Sequence, residues 1–417
     1  MQKRMLTYRK RIPLLVLMLQ LSLLLIFTHG IPETSGSTLS DYYDLLNHRV
    51  GFGENVTGGF GGTLYIVNSS ADNGTGTLRE ALESPNPYWI RFSRDMTIRL
   101  SDDIIGESNK TIDARGVKVT IQWAALSWSN KSNIIIHNIE MNGGLTGECT
   151  GGCCGEGDAI TFNNCDQIWI DHCTLGEYED ECIAANNGSG KITISWCKFY
   201  KQEGRVILMG NNQIYTQDES LRVTIHHCWY TESKFRMPRG RYGRFHSFNN
   251  FLEGWSNYGA CVSCGAHLYS EQNILDSQGS NDFGIKTDGI VGAPGALPGD
   301  PKIDEPDGYA TSVGDWILHG TRIQLNNESG VFNPSEEYDY SNFIEAADCR
   351  LYNNLMKYSG RQENPLSYTY STIPPGTDQV FGCSLNTTYI ISNSIFLVAI
   401  AAVGAILLLK QRKSSKR

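Results

Sequence analysis

The sequence predicts an all-β fold, a single-stranded parallel β-helix in which short strands stack coil upon coil. Three similar runs support this prediction: QIWIDHCTL (167–175), KITISWCKF (191–199) and RVTIHHCWY (222–230). Each run alternates apolar residues and ends in a Cys followed by a large apolar residue, and Asn replaces the Cys in later copies. The Cys or Asn recurs every 22 to 31 residues, a period typical of solenoids.

Each element of the predicted coil has a physical reason. Ile and Val of the strands would point inward, and Cys or Asn at one bend of successive coils would stack as a ladder. Cys173, Cys197 and Cys228 are therefore expected inside as free thiols, with disulfides between adjacent coils as the alternative. An antiparallel sandwich is disfavoured, because it would need two-residue hairpin signals, which are few here.

Composition supports a β fold and excludes one class of partner. The 417 residues include 43 glycines and carry a net charge of −9. The many glycines indicate turns, and the chain lacks the broad basic face that nucleic-acid binding requires. A monomer without a nucleic-acid partner is expected.

Both ends of the chain carry apolar runs of the membrane type. Residues 1–30 are predicted to be a secretory signal, with an uncleaved anchor helix as the alternative. Residues 390–409 are long enough to cross a bilayer, and the basic tail 410–417 would stay in the cytoplasm. A cleaved lipid-anchor signal is disfavoured by that basic ending. The body, residues 31–389, is thus expected outside the cell, on the membrane or secreted.

An exported body permits disulfides and glycans. Of the 12 cysteines, Cys149, Cys153 and Cys154 cluster in one glycine-rich loop. Disulfides are preferred there over zinc, because the loop contains no His. Asn-x-Ser/Thr triplets, the acceptor sites for glycans, occur at Asn55, Asn68, Asn73, Asn109, Asn130, Asn187, Asn327 and Asn386.

The C-terminal part of the body departs from the repeat. Residues 282–308 are rich in Gly, Pro and Asp and are predicted to form a long loop. After it, WILHGTRIQL (316–325) is expected to add one more coil, and FIEAADCRLYNNLM (343–356) to cap the end of the solenoid.

A series of motifs resembles a known family. GFGENVTGGFGGTLYIVNSSADNGTGTLREALE, TIDARG, GDAITF, WIDHCTL, ITISWCKF and RMPRGRYGRFHSFNN follow one another in that order between residues 51 and 276. This order is similar to that of the pectate lyases, which are right-handed parallel β-helices. The resemblance implies cleavage of polygalacturonate by β-elimination, in which a base removes the C5 proton and calcium stabilises the developing charge.

The resemblance also implies a calcium site. Glu156 and Asp158 match the family's first acidic pair, and Asp180 matches the ligand that follows the WIDH strand. Calcium prefers several oxygen ligands, yet Ala184 stands where the family often has another Asp. Glu181 could compensate only in part, because neighbouring side chains of a strand point to opposite faces.

The arginines of RMPRGRYG (236–243) carry the other roles that the resemblance implies. Arg236 matches the base, Arg241 the residue that grips the substrate carboxylate, and Arg205 replaces a substrate-binding Lys. An arginine base requires nearby cations that favour its neutral form, so alkaline conditions should suit it. Arg239 and Arg244 are expected to position the cluster or to remain solvated.

Several alternatives stay open at this point. The chain could bind acidic polysaccharide without cleaving it, act as a pectin lyase, or hydrolyse glycosides with two carboxylates. The Asp171–His172 pair is expected to form a structural hydrogen bond near the site. Trp255 and Tyr258 could stack on sugar or cover a coil.

Overall fold

A computed structural model describes residues 39–144, 157–202, 204–287, 305–325 and 328–370. Three sheets of parallel strands run the length of the described chain, and successive strands pass from one sheet to the next. The predicted parallel β-helix is therefore confirmed.

Sheet A contains ten strands among the described residues: β1 (Thr63–Val67), β2 (Tyr88–Phe92), β5 (Lys110–Asp113), β8 (Ser132–His137), β11 (Asp166–Asp171), β14 (Lys191–Ser195), β17 (Arg222–His226), β20 (Arg244–Phe248), β23 (His267–Glu271) and β26 (Tyr309–Val313). From β2 onward, a strand of sheet B follows each strand of sheet A after a bend: β3 (Met96–Arg99), β6 (Val119–Gln122), β9 (Glu140–Asn142), β12 (Thr174–Gly176), β15 (Lys198–Tyr200), β18 (Trp229–Thr231), β21 (Phe251–Glu253), β24 (Ile274–Asp276) and β27 (Trp316–Leu318). Sheet C completes the coil: β4 (Ile104–Ile105), β7 (Leu126–Ser129), β10 (Ile160–Asn163), β13 (Glu181–Asn186), β16 (Arg205–Met209), β19 (Arg239–Arg241), β22 (Tyr258–Ser263), β25 (Phe283–Lys286) and β28 (Arg322–Gln324).

The core lies between the three sheets and follows from their register. Ile168 of β11 pairs with Ile192, and Ile192 pairs with Val223 of the next coil. Val223 pairs with Phe245, and Phe245 pairs with Leu268. All five side chains are buried in one continuous apolar cluster. Burying each such side chain contributes about 1.5–3 kcal/mol, so every coil stabilises the coils on either side of it.

The bend from sheet A to sheet B explains the Cys and Asn ladder. In seven coils, from β8 to β27, two residues make this bend. Where its first residue is not glycine, it has a left-handed φ of 50–64°: Asn138, His172, Trp196, His227, Asn249 and Gln272. The second residue turns inward. Cys173, Cys197 and Cys228 are buried free thiols, as predicted, and Asn250 accepts a hydrogen bond from Cys228 N at 2.9 Å.

Two predictions about the C-terminal part need correction. The predicted loop 282–308 starts too early, because Phe283 and Ile285 pair with Tyr258 and Ala260 as part of β25. The segment 343–356 does not cap the solenoid end. Its helix packs sideways on large side chains of sheet B, which would otherwise face water. The expected further coil is present as β26, β27 and β28.

Helices are few and short in the described chain. They are α1 (Leu39–Leu46), α2 (Leu78–Glu83) and α3 (Cys349–Tyr358), with 3₁₀ turns at Thr216–Ser220, Pro334–Glu336 and Pro365–Ser367. Helix α1 belongs to a separate unit that ends at Asn47, and the β-helix lies in the unit that begins at His48.

Several predictions fall on other parts of the chain. Within the described ranges no helix has the length and apolar character needed to cross a bilayer. The predicted signal (1–30), anchor (390–409) and tail (410–417), the cluster Cys149, Cys153 and Cys154, and Glu156 lie outside those ranges.

Candidate active site

The candidate site lies on the outer face of sheet C, where chain segments arrive from sheet B. Asp158 precedes β10, Asp180 directly precedes β13, and Arg236 precedes β19. Because parallel strands stack in order, these three turns lie on one side of the sheet, along the edge formed by the starts of its strands. Arg236 has a φ of 66°, the same left-handed conformation as the bend residues between sheets A and B.

Three carboxylates meet at this edge. Asp158, Asp180 and Glu181 each offer an oxygen within 4.8 Å of the others. Asp158 Oδ1 accepts a hydrogen bond from the backbone N–H of Glu181 at 2.9 Å, and Thr161 Oγ1 donates to Asp158 Oδ2 at 3.2 Å. The expectation that Glu181 would point away from Asp180 is wrong, because Asp180 lies in the turn and strand alternation starts only at Glu181.

Burial and mutual repulsion shape the protonation of these acids. Burial, followed by a hydrogen bond with Asp180, raises the pKa of Glu181 to about 9, against the opposing charge of Arg236. Burial also raises the pKa of Asp158. For Asp180, hydrogen bonds from Glu181 and Arg205 outweigh burial and lower the pKa.

Two of the predicted arginines contact this cluster. Arg205 donates to Asp180 Oδ1, and both side chains are partly exposed. Arg236 donates to Glu181 Oε1, and both are largely buried. The structure thus brings together Asp158, Asp180, Arg205 and Arg236.

Arg241 ends β19, the strand that Arg236 precedes, and it has different partners. Its Nε donates to Glu305 Oε1 at 2.9 Å, and its Nη1 donates to the carbonyls of Gly210 and Asn211 at 3.0 Å each. Arg239, fully buried, also donates to Glu305. No motif connects Glu305 with these arginines, because it follows a long Gly- and Pro-rich segment and lies 64 residues from Arg241.

Other residues singled out from the sequence lie elsewhere. Arg244 begins β20 in sheet A and pairs with Glu337. Trp255 and Tyr258 are buried, so they cover a coil and do not offer faces to a sugar. Ala184 is buried on the outer column of sheet C, between Thr161 and Leu208.

The Asp171–His172 pair is hydrogen-bonded as expected, at 2.7 Å, but it is not near the carboxylate cluster. It belongs to sheet A and the following bend. His137 contacts the same Asp171 oxygen at 2.9 Å, and Ser195 donates to the other oxygen at 2.5 Å. These buried contacts hold three coils together.

Stacked parallel strands with acids and arginines along one outer face define a class, the parallel β-helices of the polysaccharide lyase type. Comparisons with known proteins place the chain within that class. A family profile described as "Pectate lyase" matches residues 97–291.

Relatives agree with that match. The chain is 38% identical to a pectate lyase of Nicotiana tabacum over 336 residues, covering 75% of this chain and 80% of the relative. It is 36% identical to pectate lyase 4 of Ambrosia artemisiifolia, over 54% of this chain and 61% of that relative's length, which is less than two thirds. The crystal structure of jun a 1, the major allergen from cedar pollen, superposes with a TM-score of 0.64 at 27% identity, over 79% of this chain and 97% of the allergen. The chain belongs to the pectate lyase family.

Proposed function

We propose that this chain is a calcium-dependent pectate lyase that cleaves (1→4)-α-D-galacturonan by β-elimination. The observation that carries the proposal is the junction on sheet C where Asp158, Asp180 and Glu181 meet Arg236 and Arg205. Carboxylates beside arginines suit a substrate that carries a carboxylate next to the proton to be removed. Family membership supports the same chemistry.

The donor set fits calcium. Calcium takes oxygen ligands in irregular geometry, and three carboxylates lie within mutual reach here. Glu181 supplies the acid that Ala184 does not. When bound there, calcium would hold the uronate carboxylate and offset the negative charge that develops on proton loss.

The chain's own side chains divide the remaining work. Arg236, released from Glu181 and in its neutral guanidine form, would accept the C5 proton. Arg205, partly exposed beside Asp180, would bind a uronate carboxylate from the solvent side. Arg241 would grip a second carboxylate once it is free of Glu305.

A second candidate is a binding protein that holds uronate polymers without cleaving them. One observation favours it: each arginine proposed for catalysis or binding already pairs with an acid of the chain. Such pairs reduce the positive charge available to a substrate. The missing acid at position 184 points the same way.

The deciding experiment incubates purified protein with polygalacturonate at alkaline pH and follows the ultraviolet absorbance of the unsaturated product. A lyase gives a rising signal that a chelator abolishes and calcium restores. Binding to the polymer without any new absorbance selects the binding protein. New reducing ends without absorbance, unaffected by chelator, select a glycoside hydrolase, and chelator-insensitive cleavage of methylated substrate selects a pectin lyase.

The predicted signal and anchor complete the proposal. A chain with a secretory signal at 1–30 and an anchor at 390–409 would present its β-helix outside the cell, where acidic polysaccharide is found. Fractionation of expressing cells, with protease added from outside, tests this placement: an exported body is digested in intact cells.

A further inference from the structure

The last residues of the sheet B strands form a row that runs along the solenoid, next to the bends that lead to sheet C. Arg99 of β3 pairs with Gln122 of β6, and Gln122 pairs with Asn142 of β9. Asn142 pairs with Gly176, and Gly176 pairs with Tyr200. The residue before each of them lies in the apolar core, so the row itself faces outward. Arg99 is exposed, and the side chains of Gln122, Asn142 and Tyr200 are half-buried.

Trp123 extends this row on the N-terminal side of the candidate site. It follows β6 directly and begins the bend to sheet C. Its indole is half-buried, and the Cζ of Arg99 lies 5.7 Å from the centroid of the ring, which is a cation–π contact. No acid of the described chain pairs with Arg99, whereas Arg205 and Arg236 each pair with one. Arg99 therefore keeps its charge available to an acidic ligand.

The Trp123 bend lies on the same side of sheet C as the acids and is joined to the bend of Asp180. Ala124 follows Trp123, and its carbonyl accepts a hydrogen bond from Tyr178 Oη at 3.4 Å. Tyr178 lies two residues before Asp180. The bend between them in the stack is connected too, since Asp180 N donates to Gly157 O at 3.0 Å. Adjacent coils are about 4.8 Å apart, so two coils place the Trp123 bend about 10 Å from the Asp180 bend along the solenoid axis.

We propose that Trp123 and Arg99 form an outlying subsite for a uronate residue of the polymer, two coils away from the acids of the candidate site. This inference rests on the proposed function for the chemistry of the substrate. The indole supports Arg99 and offers its remaining surface to the apolar C–H groups of a sugar ring, while Arg99 pairs with the carboxylate of that sugar. A short oligomer held at Asp180 does not reach Trp123, whereas a longer one does. The subsite therefore makes affinity depend on the length of the chain.

The test is the KM for galacturonate oligomers of increasing length, measured from the absorbance of the unsaturated product. Trp123→Gly removes the indole, and glycine suits the φ of 86° at this position. Arg99→Gln removes the charge at an exposed position. Each variant should raise the KM for long oligomers about tenfold. The kcat and the KM for the shortest cleaved oligomers should stay unchanged, because neither side chain contacts the reacting atoms.

Two further variants separate a subsite from a structural role. Trp123→Phe returns an aromatic ring and should restore most of the affinity that Trp123→Gly loses. Tyr88→Ala is the matched control, because the Tyr88 ring also has a cation over it, Lys110 Nζ at 5.6 Å from the centroid, but lies on sheet A. Its KM should match that of the wild type at every length.

Equal KM values for the wild type and both subsite variants at every length would overturn the inference even if lyase activity is confirmed. So would a rise that is as large for the shortest oligomers, because the substitutions would then act on the acids of the candidate site. If the protein cleaves nothing, the proposed lyase function fails, and calorimetry with the same oligomers decides the inference. Long oligomers should then bind the variants about tenfold more weakly than the wild type, and equal affinities or no binding at all refute the subsite. Arg99→Gln decides alone if Trp123→Gly does not fold.

Discussion

The outer faces of sheets A and C are built on the same coils, yet one is buried and the other is partly exposed. On sheet A, His226 stacks on Phe248 with ring centroids 4.8 Å apart, and Tyr338 and Tyr340 cover them. On sheet C, acids and arginines meet at an edge that is partly open to solvent. A solenoid can therefore bury the polar side chains of one sheet, where they stabilise the fold, and keep those of another sheet accessible to a substrate.

The largest effect is expected when one arginine near sheet C, and not one on sheet A, is replaced by alanine. Arg236→Ala should lower kcat by about 10²–10⁴-fold with the fold intact, because a positioned proton acceptor contributes that much. Arg244→Ala is the control, since Arg244 comes from the same short stretch but lies on sheet A. Initial rates from product absorbance measure the difference, and an active Arg236→Ala protein would remove this residue from the chemistry.

Next in size is the ladder that joins the coils. Asn250 is fully buried, accepts from Cys228 N and donates to Ile225 O at 2.8 Å. Asn250→Ala should lower the free energy of unfolding by about 2–4 kcal/mol, because it leaves buried backbone groups unsatisfied. Urea denaturation measures this loss. Asn353→Ala, at an exposed position of α3, should cost under about 0.5 kcal/mol. Equal losses in the two variants would show that the ladder does not stabilise the fold.

A smaller effect tests the acidic edge of sheet C without relying on turnover. Glu181→Gln should weaken calcium binding about tenfold, or about 1.4 kcal/mol, because it removes one of three carboxylates. Calorimetric titration with calcium provides the measurement, and Glu337→Gln should bind as the wild type does. Unchanged affinity in Glu181→Gln would mean that Asp158 and Asp180 hold the ion without it.

The last effect, the smallest for a single substitution, concerns the histidines of sheet A. Burial lowers the pKa of four of them: His137, His226, His227 and His246. In the unfolded chain they would titrate near the ordinary value of about 6.5. Below that pH the unfolded state binds more protons, so stability should fall as pH falls, by at most about 1.4 kcal/mol per pH unit for each histidine.

Thermal unfolding between neutral and mildly acidic pH checks this dependence. His226→Phe keeps the ring stack and should reduce the slope below pH 6.5, whereas His319→Gln, at an exposed position paired with Asp276, should leave it unchanged. A slope that is the same in all three proteins would place the acid sensitivity outside sheet A.

The sequence predicted the β-helix because its repeat is local. The period of the Cys and Asn positions identifies the coil, and apolar alternation identifies which residues face inward. Asp158, Asp180, Arg205 and Arg236 were found through matched motifs, and the structure brings them together. Their pairing was beyond prediction, since Arg236 contacts Glu181 across 55 residues and Arg205 contacts Asp180 across 25.

The error about Glu181 has a physical cause. The rule that neighbouring side chains diverge was applied to Asp180 and Glu181, but this pair straddles the start of a strand. At such a boundary the backbone turns, so both side chains can reach one place. Strand ends cannot be fixed to a single residue from sequence, and this limits any prediction of a site built on turns.

The two-residue bend between sheets A and B has a consequence for how such a protein can change. From β8 to β27 the bend keeps the same length, and an inserted residue there would shift every inward side chain of the next strand. The bends on either side of sheet C vary in length, and they hold Asp180, Arg236 and Glu305. Evolution and protein engineering can therefore lengthen or replace the segments that decide what is bound. The β-helix itself can be lengthened or shortened only by whole coils.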